Sequence, residues 1–275
     1  MTTTPTPIPT PTPVATPVAT TPTPTPVTAA PTPAPAPAPS PWFVRPPSGE
    51  HPARLFCFPF SGSGASAFSA WPAAIGGAEV CPVQFPGREN RLGHPHYGTY
   101  EELADALAEA LAPWLDRPYA FFAHCAGALP AYETVLRLAA LGLPGPERLF
   151  VSGQPAPHDA ARDRMLTLTE AGLRAELEGF VRSRGIEPRP DMIDLGMLVL
   201  LRDHAAAGAY RRTEPAPVDC PVTVLHWSDD PDAGLEELDG WRRYAGSVEF
   251  RTVGGGHYDF MDAPSELLDL LTSWR

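Results

Sequence analysis

The sequence predicts an α/β protein, with a mainly parallel sheet, helices on both of its faces and a helical insertion over one edge. Three observations predict it. Short apolar runs bounded by Gly and Pro recur along the chain, helical patterns lie between several of them, and the stretch from Met165 to Tyr210 breaks this alternation with helices alone. Strands that read as continuous apolar runs are those buried on both faces, as in a parallel sheet covered by helices.

The chain begins with a segment that cannot take part in such a sheet. Of its 37 prolines, 15 fall within residues 1–41, interleaved with Thr, Ala and Val, and no charged residue precedes Arg45. Proline fixes φ and removes backbone donors, so residues 1–44 are expected to form a disordered, polyproline-like arm without a core. The segment has neither the basic start nor the continuous apolar stretch of a signal peptide. Residues 45–275 then make one domain with a sizeable core.

Within the domain, strand character recurs at Arg54–Phe58, Glu79–Phe85, Tyr119–Ala123, Arg148–Ser152, Val222–Trp227 and Ser247–Val253. From Tyr100 to Leu115, apolar residues at 103, 107, 111 and 115 make one helical face, and Ala128 to Leu141 is a second helix rich in Ala and Leu. Between the fourth and fifth of the central runs, Glu170–Arg182 and Asp191–Gly208 read as short helices. Together with their flanks, about 165–212, they are expected to form a lid over the carboxyl edge of the sheet, able to cover an acyl chain. A plain helical crossover is the simpler alternative. In an open α/β sheet the ligand site lies at the carboxyl ends of the strands, so chemistry is sought just after each run.

Charge and cysteine usage narrow the function classes. The chain has 32 acidic residues against 20 basic ones, all of them Arg, for a formal charge of −12. An acidic chain without a basic cluster argues against nucleic acid or anionic membrane as partner, and no apolar run reaches the ~18–20 residues that span a bilayer. The four cysteines form no C-x-x-C pair and show no metal-ligand spacing with histidine, so neither a metal nor a bound cofactor is expected. Cys57, Cys81 and Cys220 read as buried strand residues. A reducing cytoplasm is the expected compartment.

The chemistry is carried by four segments. In Ala123-His124-Cys125-Ala126-Gly127 an apolar strand gives way to helix formers, with small residues around a nucleophile as a sharp strand-to-helix turn requires. Such a turn places Cys125 at a helix N-terminus, where backbone N–H groups favour negative charge. Gly254-Gly-Gly-His257 follows the last strand run, and its glycines present the imidazole without bulk. Asp229 and Asp230 follow the Val222–Trp227 run. Either could hold the histidine tautomer, with Asp230 preferred. Phe58-Pro-Phe60-Ser61-Gly-Ser-Gly, after the first strand, is a loop able to aim the Phe60 and Ser61 N–H groups at a developing oxyanion together with Ala126 N–H. It is not a phosphate-binding G-x-x-x-x-G-K-[ST] loop, because the chain has no Lys.

These segments resemble the stand-alone type II thioesterases of polyketide and nonribosomal peptide biosynthesis. Leu55 to Trp71 looks like their first strand and oxyanion loop. Val83-Gln-Phe-Pro-Gly-Arg-Glu-Asn-Arg91 is similar to their Q-x-P-G-R-E-x-R run, Phe121 to Glu133 to their nucleophile elbow and Gly255-Gly-His257 to their histidine loop. The resemblance covers residues 50 to 275. It implies an α/β-hydrolase fold with a lid, and hydrolysis of acyl groups held as phosphopantetheine thioesters on an acyl or peptidyl carrier protein. It also implies a monomer. It places Cys125 as nucleophile, His257 as base, Asp230 as acid and His124 as a packed structural residue, and it makes Arg88 and Glu89 a loop-stabilising pair. Two departures stand out. Ala123 replaces the usual Gly, and Cys125 replaces the usual Ser. An acyl-cysteine is itself a thioester, and amines and thiols discharge it better than water does, so the substitution points toward acyl transfer to an amine, hydroxyl or thiol beside hydrolysis. Arg182, Arg184, Arg211 and Arg212, in and beside the lid, are either docking residues for the carrier protein or charges of a solvated face.

Overall fold

In the computed structural model, residues 1–4, 10 and 40–274 are described. The chain divides into two units, Met1–Ala36 and Pro37–Arg275, and all described elements belong to the second. The extended arm expected for the N-terminal tail lies for the most part outside the described residues.

One part of that expectation is corrected. Ser40–Val44 belong to the domain: Phe43 forms a bridge with Val83, Gln84 N–H donates to the Trp42 carbonyl at 2.7 Å, and the Phe43 ring packs on Phe56 and Trp114. The two adjacent aromatics supply the apolar burial that the Pro, Thr and Ala around them lack.

The strands are β1 (Ala53–Phe58), β2 (Ala74–Ile75), β3 (Ala78–Pro82), β4 (Tyr119–His124), β5 (Arg148–Ser152), β6 (Val222–Trp227) and β7 (Val248–Val253). They form one sheet in the order β2-β3-β1-β4-β5-β6-β7, parallel throughout except for β2. β1 and β4 are buried at every position, as their unbroken apolar runs predict. Their side chains alternate. Phe56, Phe58, Phe121 and Ala123 join one core layer, and Leu55, Cys57, Ala120 and Phe122 join the other. The two-residue β2 left no sequence pattern. Of the run at Glu79–Phe85, β3 ends at Pro82, and Val83 still donates its N–H to the Cys57 carbonyl at 2.9 Å while bridging Phe43.

The helices are α1 (Tyr100–Leu111), α2 (Ala128–Ala140), α3 (Glu170–Ser183), α4 (Pro190–Ala209), α5 (Leu235–Leu238) and α6 (Ser265–Leu270). α1 starts on a capping box in which Thr99 and Glu102 satisfy each other's backbone N–H groups. Its expected continuation to Leu115 tightens instead into a 3-10 turn at Ala112–Trp114, where Pro113 falls. α1 and α2 pack on one face through Leu103, Leu107, Ala131 and Val135, and Phe68, Phe260 and Leu267 cover the other. α3 and α4 form the insertion between β5 and β6, joined to each other by Leu173, Ile193, Met197 and Leu200. Cys57 and Cys81 lie in strands as expected. Cys220 is buried but precedes β6, held between Pro221 and the isolated bridge at Val218.

The chain places β3 on one side of β1 and β4 on the other, so the topological switch falls between β1 and β4. The loop after β1 and the turn after β4 therefore meet in a crevice at the carboxyl edge.

Candidate active site

Cys125 stands at the first position past β4 with φ +50°, in the left-handed region that side chains with a Cβ rarely adopt. His124 before it is still extended, and a 3-10 turn at Cys125–Gly127 runs directly into α2. The strain amounts to about 1–2 kcal/mol, and it turns the thiol out of the sheet at the start of a helix. The turn is closely packed. A Cβ on Gly127 would lie 2.2 Å from the Pro59 carbonyl oxygen, so the elbow rests against the backbone that leads into the Phe60–Ser61 loop. Ala123, where the resembled family has Gly, is fully buried in the sheet core with room for its methyl group.

His257 follows Gly254–Gly256 after β7, and its Nδ1–H donates to Asp230 Oδ2 at 2.6 Å. That bond leaves Nε2 as the free ring nitrogen, and the Cys125 sulfur is close enough to His257 to act on its charge. Asp230 is buried and also accepts from Asp232 N–H at 3.0 Å. Of the two neighbouring acids, Asp230 is the one that touches His257. Asp229 is exposed, and its carboxylate accepts from the Ser228 hydroxyl at 3.2 Å. Burial alone would favour neutral imidazole at His257, but the adjacent sulfur and the Asp230 carboxylate outweigh it and raise the His257 pKa above its ordinary value. Asp230 is correspondingly lowered, its own burial being outweighed by the bond and charge of His257.

His124 is fully buried, stacks on Phe260 at 4.1 Å between ring centroids and lies 4.5 Å from the His257 ring. Trp227 Nε1–H donates to Ser152 Oγ at 2.9 Å, and the same hydroxyl lies 2.9 Å from His124 Nδ1. Burial, and then the charge of His257, keep His124 neutral by lowering its pKa. It is a packed support beneath His257. Ser152 and Trp227 complete this support and were not singled out from sequence, since each reads as an ordinary strand residue.

The loop after β1 is folded back on itself. Ser63 donates to the Phe60 carbonyl through both its N–H, at 3.1 Å, and its hydroxyl, at 2.8 Å. No other group among the described residues takes up the Phe60 and Ser61 N–H groups. Ala126 N–H, at the second position of the helical turn, has no partner within the helix. Phe60, Ser61, Cys125, Ala126 and His257 all border one cavity of about 760 Å³. Its far wall comes from the insertion, with Leu173, Leu177 and Phe180 of α3 and Leu200 of α4. Phe180 closes over the site, its ring centroid 4.7 Å from Tyr258 and 5.7 Å from Phe60. Among the described residues no cluster of three or more His, Cys, Asp or Glu is placed to hold a metal ion, and no helix is long and apolar enough to cross a membrane.

One sequence expectation is corrected and one open choice is narrowed. Arg88 and Glu89 do not pair with each other. Arg88 binds Asp203 of α4, and Glu89 accepts from the Ser66 hydroxyl at 2.5 Å, because successive residues entering a 3-10 turn diverge. The four arginines offered for docking are not a free patch. Arg182 pairs with Glu178, Arg184 with Asp262 and Arg212 with Glu133, while Arg211 donates to the Tyr210 carbonyl. Three of these four Arg are thus paired with a carboxylate. Asp203 was also missed, although its spacing from Leu200 and Met197 puts it on the buried face of α4 and could have marked it.

This geometry has relatives. The thioesterase domain family matches residues 53–274. The chain is 31% identical over 233 residues to the AMB antimetabolite synthetase AmbE of Pseudomonas aeruginosa, covering 84% of this chain but 11% of that protein. It is 33% identical over 216 residues to a probable cadicidin biosynthesis thioesterase of Streptomyces griseus, covering 76% of this chain and 60% of the relative. Among solved structures it is similar to RedJ, a thioesterase from the prodiginine biosynthetic pathway of Streptomyces coelicolor, at 35% identity and a TM-score of 0.72, over 87% of this chain and 96% of that one.

Proposed function

Because the chain belongs to the thioesterase domain family, we infer that it hydrolyses acyl groups carried as phosphopantetheine thioesters on acyl or peptidyl carrier proteins of polyketide or nonribosomal peptide biosynthesis, through Cys125, His257 and Asp230. One observation carries the reading: Cys125 is presented on a left-handed turn at a helix start, beside a His257 that is hydrogen-bonded to Asp230 and borders the same cavity. The named relatives support the pathway class, and the apolar wall of the cavity beside Cys125, formed by Leu173, Leu177, Phe180 and Leu200, supports an acyl substrate.

The chemistry follows from the site. His257, its pKa raised by the adjacent sulfur and the Asp230 carboxylate, takes the Cys125 thiol proton at Nε2 as the sulfur attacks the thioester carbonyl. The carbonyl oxygen becomes an oxyanion facing the N–H groups of Phe60, Ser61 and Ala126. On collapse the carbon–sulfur bond to phosphopantetheine breaks, His257 Nε2–H protonates the departing thiolate, and an acyl-Cys125 remains. Neutral His257, its tautomer held by Asp230, then takes a proton from water as the oxygen attacks. The second collapse frees a carboxylic acid and restores the cysteine–histidine pair.

The cysteine also favours a second reading, in which an amine, hydroxyl or thiol takes the place of water. The acyl-Cys125 lies close in energy to the thioester substrate, so transfer to another thiol is nearly neutral and transfer to an amine is downhill. The experiment is to follow an acylated carrier protein and this chain together by intact mass over time, for wild type, Cys125→Ala and Cys125→Ser. Rapid carrier deacylation to free acid supports hydrolysis. An adduct discharged only by an added amine, alcohol or thiol supports transfer. Undiminished deacylation by Cys125→Ala overturns both.

A further inference from the structure

The buried stripe of α4, with Ile193, Met197, Leu200 and Ala206, is apolar except for Asp203, which is 1% exposed. The reaction described above does not use it. Its oxygens accept five hydrogen bonds. Oδ2 accepts from Gly62 N–H at 2.7 Å and from Arg88 Nη1 at 2.8 Å. Oδ1 accepts from Arg88 Nη2 at 2.7 Å, His96 Nε2 at 2.8 Å and the Tyr97 hydroxyl at 2.9 Å. His96 Nδ1 accepts from Gly98 N–H at 3.2 Å, which leaves Nε2 as the nitrogen that carries a proton and donates.

The donors are not drawn from α4 itself. Gly62 directly follows Phe60 and Ser61, and it sits at φ +79° with Leu200 of α4 3.4 Å from the place of its missing Cβ. The Arg88 fork that grips Asp203 also donates to the Ser63 carbonyl at 2.9 Å, and Ser63 in turn holds the Phe60 carbonyl. The peptides on the carboxyl side of the Phe60 and Ser61 amides are thus fixed through one carboxylate on the insertion. Leaving that carboxylate or Arg88 buried without the other is costly, which holds the loop, the Arg88 turn and α4 together.

We propose that Asp203 is a positioning residue for acyl transfer at Cys125: through Gly62 N–H and the Arg88 fork it directs the Phe60 and Ser61 amides, so that the oxyanion hole is complete only with α4 seated. This rests on the reading that Cys125 is the nucleophile. Two reactions of the same sulfur separate the role from a mere tie in the core. Acylation by a thioester puts negative charge on the carbonyl oxygen and needs those amides. Alkylation by iodoacetamide forms an S–C bond as iodide leaves a tetrahedral carbon, and it builds no oxyanion.

The test compares both rates at Cys125 by mass, with octanoyl-N-acetylcysteamine and with iodoacetamide, in wild type, Asp203→Asn and Arg88→Lys. Outright loss of an oxyanion donor costs about 10²–10³ in rate. Misdirected donors are expected to slow acylation about 10- to 100-fold in Asp203→Asn and about 10-fold in Arg88→Lys, which keeps the charge but loses the fork. Alkylation is expected to stay within about two-fold of wild type. If circular dichroism finds Asp203→Asn unfolded, Arg88→Lys decides alone. Equal slowing of both reactions, or no change in either, overturns the proposal while leaving the nucleophile intact. A wild type that takes neither reagent at Cys125 overturns the nucleophile as well.

Discussion

Gly127→Ala perturbs the contact on which the candidate site depends. Gly127 has φ −63° and ψ −19°, a conformation open to alanine, so the substitution carries no backbone strain of its own. Its new Cβ, however, would lie 2.2 Å from the Pro59 carbonyl oxygen and 3.0 Å from the carbonyl carbon. An ordinary C···O approach is about 3.3 Å, so the elbow and the Pro59 backbone must separate by about 1 Å. Neither partner is a side chain that could rotate away. Overpacking of this kind costs about 1–3 kcal/mol, and a displacement of about 1 Å between nucleophile and oxyanion donors costs roughly 10²-fold in rate. Urea unfolding and single-turnover acylation of the same sample measure both. We expect a stability loss of about 2 kcal/mol with acylation down roughly 100-fold. A variant of wild-type stability and rate would show that the turn after β4 does not rest on the loop after β1, and the reasoning about the site would fall.

Three further outcomes follow from the charges. Asp230→Asn is expected to lower kcat about 10²–10⁴-fold with little change in KM, while Asp229→Asn leaves both near wild type. Steady-state kinetics in which Asp229→Asn is the damaging change would reassign the acid. Because the His257 pKa is raised, its imidazolium persists through the ordinary imidazole range near ~6.5 and is lost only as pH rises through the raised value. The acylation rate is therefore expected to stay level across neutral pH and fall on the alkaline side, and a pH profile that climbs around ~6.5 contradicts the raised His257 pKa. Asp203 is held at about 2 despite its burial, chiefly by the charge of Arg88. Its contribution, about 2 kcal/mol, is present above the unfolded carboxyl value of ~3.9 and is lost as pH falls toward about 2, which denaturation of wild type and Asp203→Asn between those limits measures.

Much of the fold was legible because a sheet buried on both faces needs unbroken apolar strands. β1, β4, β5 and β6 stand in the sequence as mostly apolar runs, and the residues after them border the candidate site. Cys125 and His257 were legible for a related reason, since a sharp turn and a close imidazole each require small neighbours. What escaped was long-range pairing. Arg88 and Glu89 are adjacent in sequence and suggest a pair, but the partner of Arg88 lies 115 residues away on α4. Nothing local distinguishes Arg88 from the other arginines. The Trp42–Phe43 strap escaped because two aromatics are a faint signal inside a proline-rich stretch, and Ser152 because a hydroxyl at a strand end looks the same whether or not a histidine rests on it.

The central claim is that the acyl group passes through the sulfur of Cys125. The most direct measurement is to quench the reaction with an acylated carrier protein in acid within its first turnover, digest the chain and locate the acyl mass. The acyl mass is expected on the peptide containing Cys125 in wild type, with Cys125→Ala carrying none and leaving the carrier acylated. Acyl mass on another residue, or carrier deacylation that survives Cys125→Ala, would contradict it.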